Sequence, residues 1–286
     1  MPENKKSSPF NIVSTSMFDF NLDGSIKPNF LFHRSHDKIH SRCIEYPFAA
    51  SKIGNAQIIL DVGSAKSNDI WLEWLNNLPI TVYATDYDTF EKEYDNIKFY
   101  QSDVRNLPFQ DETFDKIIAV SVIEHVGLFS PQVNAENLPK IDNNGDFDAV
   151  KELTRVLKKG GELIMTLPFG VNQGLILNDE ARCYNIENIS KFDSLLKPFL
   201  LEYYEYQYAE CICYYSEGSP KISLSQKVSN HLSGVLQSTQ VKYKKAEDMH
   251  GFYGSVTWRR VPLKNASAVN YNHVDGIICG VWRKIG

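Results

Sequence analysis

Short apolar runs that close on an acidic residue recur along this chain. The first, Ile58-Ile-Leu-Asp61-Val-Gly63, is followed by the helical spacing of Trp71, Leu72, Trp74 and Leu75. Thr81-Val-Tyr-Ala-Thr-Asp86 and Ile97-Lys-Phe-Tyr-Gln-Ser-Asp103 repeat the pattern, and Lys116-Ile-Ile-Ala-Val-Ser121 makes a fourth run. Runs of this length bounded by turn residues read as strands buried on both faces. The spacing also predicts a helix over 149–159, a turn at Gly160-Gly161, a strand over 162–167 and a helix over about 186–196. Strand-like runs at 203–215 and 276–284 follow. Strands alternating with helices in this order predict an α/β domain on a parallel sheet. Residues 31–54 read as helical, residues 1–30 as polar and irregular with a turn at Asp23-Gly24, and 216–271 as a polar stretch of weak periodicity.

The strand ends carry the candidate chemistry. Gly63 lets the backbone turn tightly where it approaches a ligand, and Asp61 can accept hydrogen bonds there. Asp86, at the tip of the second strand, lies where an acid holds the two hydroxyls of a ribose, so a nucleoside-containing ligand is expected. No lysine-serine or lysine-threonine pair follows the glycine at phosphate-loop spacing. Ala65 and Lys66 stand in the loop where a dinucleotide fingerprint carries glycine, which disfavours a pyrophosphate cradle and an NAD-linked oxidoreductase.

Composition narrows the classes. At 286 residues and 43% hydrophobic the chain can bury one large core with additions. The net charge of −5 speaks against a nucleic-acid substrate; Lys242, Lys244 and Lys245 read as a solvated loop. No stretch is long and apolar enough to span a membrane, and the start lacks the apolar core of a signal peptide, so a cytoplasmic protein is expected. The cysteines at 43, 183, 211, 213 and 279 have no metal spacing and read as inert thiols. His33, His36 and His40 share a helical face without a carboxylate or cysteine to complete a metal set, so no metal is expected. Tyr203, Tyr204, Tyr206 and Tyr208 read as packing a sheet. Arg42, Glu45 and Tyr46 sit together just before the first strand, either reaching a ligand pocket or forming a surface ion pair.

Leu107-Pro-Phe with Phe114-Asp115, then Ile123-Glu-His-Val, then Arg155-Val-Leu-Lys-Lys-Gly-Gly occur in that order. With the strand pattern they make residues 58–170 resemble the class I S-adenosylmethionine-dependent methyltransferases. The resemblance implies a doubly wound, Rossmann-like, seven-stranded, mostly parallel sheet with an antiparallel C-terminal β-hairpin. It divides the chain into an N-terminal extension, 1–54, whose helical segment covers the active site, and a domain, 55–286, with substrate-recognition insertions at about 128–148 and 216–271. It implies S-adenosylmethionine as cofactor. Asp61, Gly63, Ser64 and Ala65 would pack on its methionine part, Asp86 would bind the ribose, and Tyr87, Asp103 and Val104 would flank the adenine. Ser121 and Ile123 would line it from the fourth strand, and Arg42 would reach it from the extension. Ala65 and Ser67 depart from the glycine that many relatives carry.

Arg42-x-x-Glu45-Tyr46-Pro47, Glu124-His-Val-Gly127 and Arg182-x-Tyr184 further resemble methyltransferases of bacterial surface-polysaccharide and sugar-modification pathways. That implies a small-molecule acceptor, a hydroxyl of a sugar or nucleotide-linked sugar. His125 would be its general base, because imidazole titrates near neutral pH, or else it packs or caps a helix. Glu124, Arg182 and Tyr184 would orient the acceptor. N-methylation of an amine or amino sugar, and a nucleoside-binding module without catalysis, are the alternative readings.

Overall fold

In the computed structural model, residues 41–128, 141–215, 240–245, 251–271 and 274–285 are described. Residues 1–40, with His33, His36 and His40, the centre of the first expected insertion and most of the second lie outside them. So do the side chains of Cys43, Tyr208, Cys211, Cys213 and the lysines at 242, 244 and 245.

The order of elements is α1 Arg42–Ser51, β1 Ile58–Val62, α2 Asp69–Asn76, β2 Thr81–Asp86, β3 Ile97–Gln101, β4 Phe114–Val120, α3 Gly145–Val156, β5 Leu157–Pro168, β6 Gly174–Ile176, β7 Ala181–Cys183, β8 Lys197–Tyr215, β9 Gln240–Lys245, β10 Gly251–Val261 and β11 Gly276–Arg283. One sheet runs β10-β8-β11-β5-β4-β1-β2-β3, with β9 attached to β8. β3, β2, β1, β4 and β5 are parallel neighbours, and β11 enters antiparallel between β5 and β8. Eight strands in continuous order, not seven, make this class I methyltransferase fold: β10 pairs antiparallel along the outer side of β8 and takes the edge.

Side chains alternating along the strands split the core into two layers. Leu60, Val62, Ile117 and Ala119 face α3, whose Ala149, Val150, Leu153 and Val156 are buried against them. Ile59, Ile118 and Ile164 face the other way, onto α1 and α2, with Phe48, Trp71 and Trp74. The amide of Ile70 donates to the Asn68 side chain at 3.0 Å, and Asp69 in the first turn suits the helix dipole, which fixes where α2 starts.

Three boundaries differ from the sequence reading. Gly160-Gly161 is an irregularity inside β5 and not a turn: the β4–β5 register shifts there, Gly160 has φ 72°, and a β-carbon on Gly161 would lie 2.8 Å from the Lys158 carbonyl. Hence α3 ends at Val156. The helix expected over 186–196 is a short 3-10 segment, Ile189–Ser194, and α3 begins inside the first expected insertion, at Gly145.

Phe114 is fully buried, with edge-on rings of Tyr83 and Phe109 at 5.5 and 5.0 Å. Phe114→Ala is expected to cost about 3–5 kcal/mol of unfolding free energy by denaturant titration. A loss below about 1 kcal/mol would show that this layer does not pack as described.

Candidate active site

The sheet order reverses between β1 and β4: the chain leaves β1 toward β2 and β3 and returns to β4 on the other side. Ligands of such sheets bind in the crevice outside the carboxyl ends at that switch point. Here Gly63 has φ 86°, and a β-carbon on it would lie 2.3 Å from Val122 Cγ2, so the loop after β1 is pressed onto the loop after β4. Only glycine meets both requirements.

The acids expected at the strand ends have distinct partners. Asp86 is half-buried, which pushes its carboxyl up; one oxygen accepts from the Ala65 amide at 2.8 Å and the other from the Asp88 amide at 3.0 Å. Asp103 is gripped by Arg105, whose guanidinium holds the carboxyl below the usual range and reaches on to Asp142 at 3.1 Å. Val104 is buried beside it, while Tyr87 is exposed past the tip of β2. Asp61 points inward. Its carboxylate accepts from Ser64 Oγ at 2.6 Å and Trp71 Nε1 at 3.1 Å, tying the glycine loop to α2. Burial pushes Asp61 up to about 7, against these two hydrogen bonds and helped by the charge of Asp86.

A second group gathers at the ends of β4 and β5. Ser121 turns left-handed, φ 53°, a conformation costing a non-glycine residue about 1–2 kcal/mol. Its amide donates to Thr166 Oγ1 at 3.1 Å and its hydroxyl to Glu124 Oε1 at 2.5 Å. Thr166 donates in turn to Glu45 Oε1 at 2.8 Å, and Glu45 pairs with Arg42. Arg42, Glu45 and Tyr46 therefore form no surface ion pair. Glu45 is buried at the strand ends, and the Tyr46 ring stacks on Trp71 at 4.7 Å. Ile123 is buried in the core layer facing α3. Glu124 is only 1% exposed, burial pushes its carboxyl up, and its Oε2 has no hydrogen-bond partner.

His125 is 47% exposed and its Nε2 lies 3.8 Å from Glu124 Oε1. Its Nδ1 meets the Glu180 carbonyl at 2.6 Å. A carbonyl only accepts, so Nδ1 donates, and in the neutral ring the lone pair sits on Nε2. Arg182 and Tyr184, expected to face an acceptor, are buried with other partners. Arg182 donates to the carbonyls of Val126 at 2.6 Å and Asp142 at 2.7 Å, and Tyr184 donates to Asp146 at 2.6 Å. Glu180 and Thr166 were not picked out from the sequence. The first acts through a backbone carbonyl, which any residue type supplies, and the second is one polar residue in an apolar strand.

The raised Asp61 carboxyl has a measurable consequence. Between about pH 4, where an unfolded aspartate titrates, and about 7, the folded protein binds the extra proton. Its stability from this group is therefore present at low pH and lost as pH rises through 7. Asparagine at 61 can still accept from Trp71 and donate to Ser64. Asp61→Asn is expected to lose less Tm between pH 5 and pH 8 than the parent; equal losses in both would take Asp61 out of this linkage.

The fold agrees with comparison to known proteins. Residues 60–165 match the family model described as a methyltransferase domain. No curated protein matches the chain. Among solved structures, the MccD protein aligns at 14% identity over 80% of this chain and 90% of its own, with a TM-score of 0.43. A SAM-dependent methyltransferase from Methanosarcina mazei aligns at 13% identity over 80% and 93%, TM-score 0.42. The 1,6-didemethyltoxoflavin-N1-methyltransferase of Burkholderia thailandensis, solved with S-adenosylhomocysteine, aligns at 10% identity over 81% and 72%, TM-score 0.43. Likenesses this distant carry no inference about the acceptor. The matched segment, a little over a third of the chain, runs from β1 into β5 across the switch-point crevice; the fold is that of the class I methyltransferases, and the cofactor is S-adenosylmethionine.

Proposed function

We propose that this chain methylates a hydroxyl of a small molecule, a sugar or nucleotide-linked sugar of surface-polysaccharide biosynthesis, with His125 as general base in the cytoplasm. One observation carries the reading: the Nδ1 contact to the Glu180 carbonyl leaves Nε2 of the solvent-reachable ring as the nitrogen that can take a proton.

The residues present suit the cofactor. Gly63 keeps the loop after β1 close to the crevice, and the half-buried Asp86 carboxylate offers two oxygens to a pair of ribose hydroxyls. Asp103, Val104 and Tyr87 would bound the adenine, Ser64 and Ala65 the methionine part, and Ser121 and Ile123 the β4 side, with Arg42 acting from behind through Glu45. The cofactor supplies a methyl group on a cationic sulfur. His125 Nε2 takes the acceptor's proton as its oxygen becomes a nucleophile, and the neighbouring Glu124 carboxylate stabilises the imidazolium that results.

The unpartnered Glu124 Oε2 suits a second donor on the acceptor, such as the hydroxyl beside the reacting one in a sugar ring. The same oxygen can accept from an N–H of a neutral amine whose lone pair attacks the methyl group, and that favours N-methylation of an amine or amino sugar as the second reading. The sugar class rests on the resemblance around Arg42–Pro47, Glu124–Gly127 and Arg182–Tyr184.

A screen of nucleotide-linked sugars, free sugars and small amines with labelled methyl donor, read by mass, separates the two. With the hydroxyl acceptor found, His125→Ala is expected to lower turnover by roughly 10² to 10⁴ with cofactor affinity unchanged. A fall below tenfold, or a collapse of cofactor affinity, would make His125 structural. Asp86→Ala is expected to weaken S-adenosylhomocysteine binding by about 1–3 kcal/mol in calorimetry; unchanged affinity in a folded variant would remove Asp86 from the ribose.

A further inference from the structure

The two-stranded ribbon of β6 and β7 stands apart from the main sheet. Residues 180, 182 and 184, in and beside β7, all reach the segment carrying Glu124 and His125 or the start of α3, Glu180 by its carbonyl and the other two by their side chains. The Glu180 carbonyl accepts from His125 Nδ1 at 2.6 Å. Two positions on, Arg182 Nη1 donates to the carbonyls of Val126 at 2.6 Å and Glu124 at 3.3 Å, and Nη2 to that of Asp142 at 2.7 Å. Two further on, the Tyr184 hydroxyl donates to Asp146 at 2.6 Å, in the first turn of α3.

We infer that β7 is a positioning strand for the base, and that Arg182 is its principal positioning residue, acting on His125 through the backbone of Glu124 and Val126 without touching the acceptor.

Arg182 is 8% exposed, and the fully buried Asp146 carboxylate, 3.8 Å from its Nε, is a counter-ion that it shares with the closer Lys191 ammonium. A buried guanidinium with a paired charge and three carbonyl contacts is a rigid fork, because losing any of them leaves a buried polar group unmet. The carbonyls it takes, of Glu124, Val126 and Asp142, lie outside the described strands. On the near side, β6 and β7 are joined through Leu177, Asn178 and Asp179, all left-handed at φ 55°, 57° and 67°. Such a run in non-glycine residues persists where its surroundings over-determine it. Here the Leu177 amide donates to the Tyr271 carbonyl at 2.8 Å and the Glu180 amide to the Leu177 carbonyl at 3.3 Å. That turn brings the Glu180 carbonyl to the imidazole. The ribbon therefore holds both ends of the base: the ring by Glu180 and the backbone on either side of it by Arg182.

The first arm of the test reads the imidazole directly and needs no acceptor; the turnover arm uses an acceptor found by the screen above. In isotope-labelled protein, His125, assigned by comparison with His125→Gln, is expected to show a proton on Nδ1 when neutral. Arg182→Met keeps the stem and removes the donors. It is expected to shift His125 toward the Nε2-protonated form that free imidazole favours, to leave S-adenosylhomocysteine affinity within about twofold, and to lower turnover on any acceptor at least tenfold, since small misplacements of a reacting group cost up to about 10²-fold. Arg182→Lys should restore part of the tautomer. Should Arg182→Met fail to fold, Tyr184→Phe, which removes one hydroxyl, is expected to give a smaller shift of the same sign. Folded Arg182→Met with the Nδ1 proton and turnover both unchanged would overturn the proposal, as would Tyr184→Phe with an unmoved tautomer if it alone folds. Turnover indifferent to His125 while the tautomer moves would instead sink the general-base reading and leave the positioning strand standing.

Discussion

A hydrogen-bonded chain crosses the carboxyl ends of β4 and β5, from Glu45 through Thr166 and Ser121 to Glu124. All but Ser121 are nearly or fully buried. Polar groups taken out of water are costly unless they are paired, so each link fixes the next. α1 cannot slide along the sheet without releasing Glu45, and β4 cannot straighten at Ser121 without releasing both Thr166 and Glu124. The strained backbone at Ser121 is thus held by partners on either side. The loop that follows, with Glu124 and His125, starts from one defined direction.

That chain also explains why the crevice is asymmetric. On the β1 and β2 side, Asp86 is held by two backbone amides, an arrangement that leaves lone pairs over for a ligand, while Asp61 is turned inward to Ser64 and Trp71. On the β4 side, Glu124 has an oxygen with no partner, one of two buried side-chain atoms left so among the described residues. The other, Trp258 Nε1, belongs to the layer that faces α1 and α2, and nothing in the structure explains it.

The sequence made the parallel half of the sheet legible because its strands are short apolar runs, three of them closed by an acid, separated by helical spacing or turn residues. β9 and β10 were missed because they lie toward the outside of the sheet, where side chains need not be apolar and the periodicity is weak. Gly160-Gly161 misled for a physical reason: a glycine pair marks a turn and a bulge equally well. At the site, residue types at strand tips drew attention to Gly63 and Asp86, and the resemblance drew it to Glu124. Direction was not legible. Asp61 turns in toward Trp71, Arg182 turns toward carbonyls, and the partner of His125 is a main-chain atom that no side-chain spacing encodes.

β11 is the latest of the strands in chain order, yet it fills the gap between β5 and β8. Every earlier strand must be in place, or waiting, before the sheet can join across its middle. Until then β5 and β8 each present an unpaired edge, the kind of surface that recruits strands from neighbouring molecules. Pairings so far apart along the chain close slowly. Among the described strands, pairing of β11 is therefore the one long-range event that joins the parallel half of the sheet to the β8–β10 half and removes both edges at once.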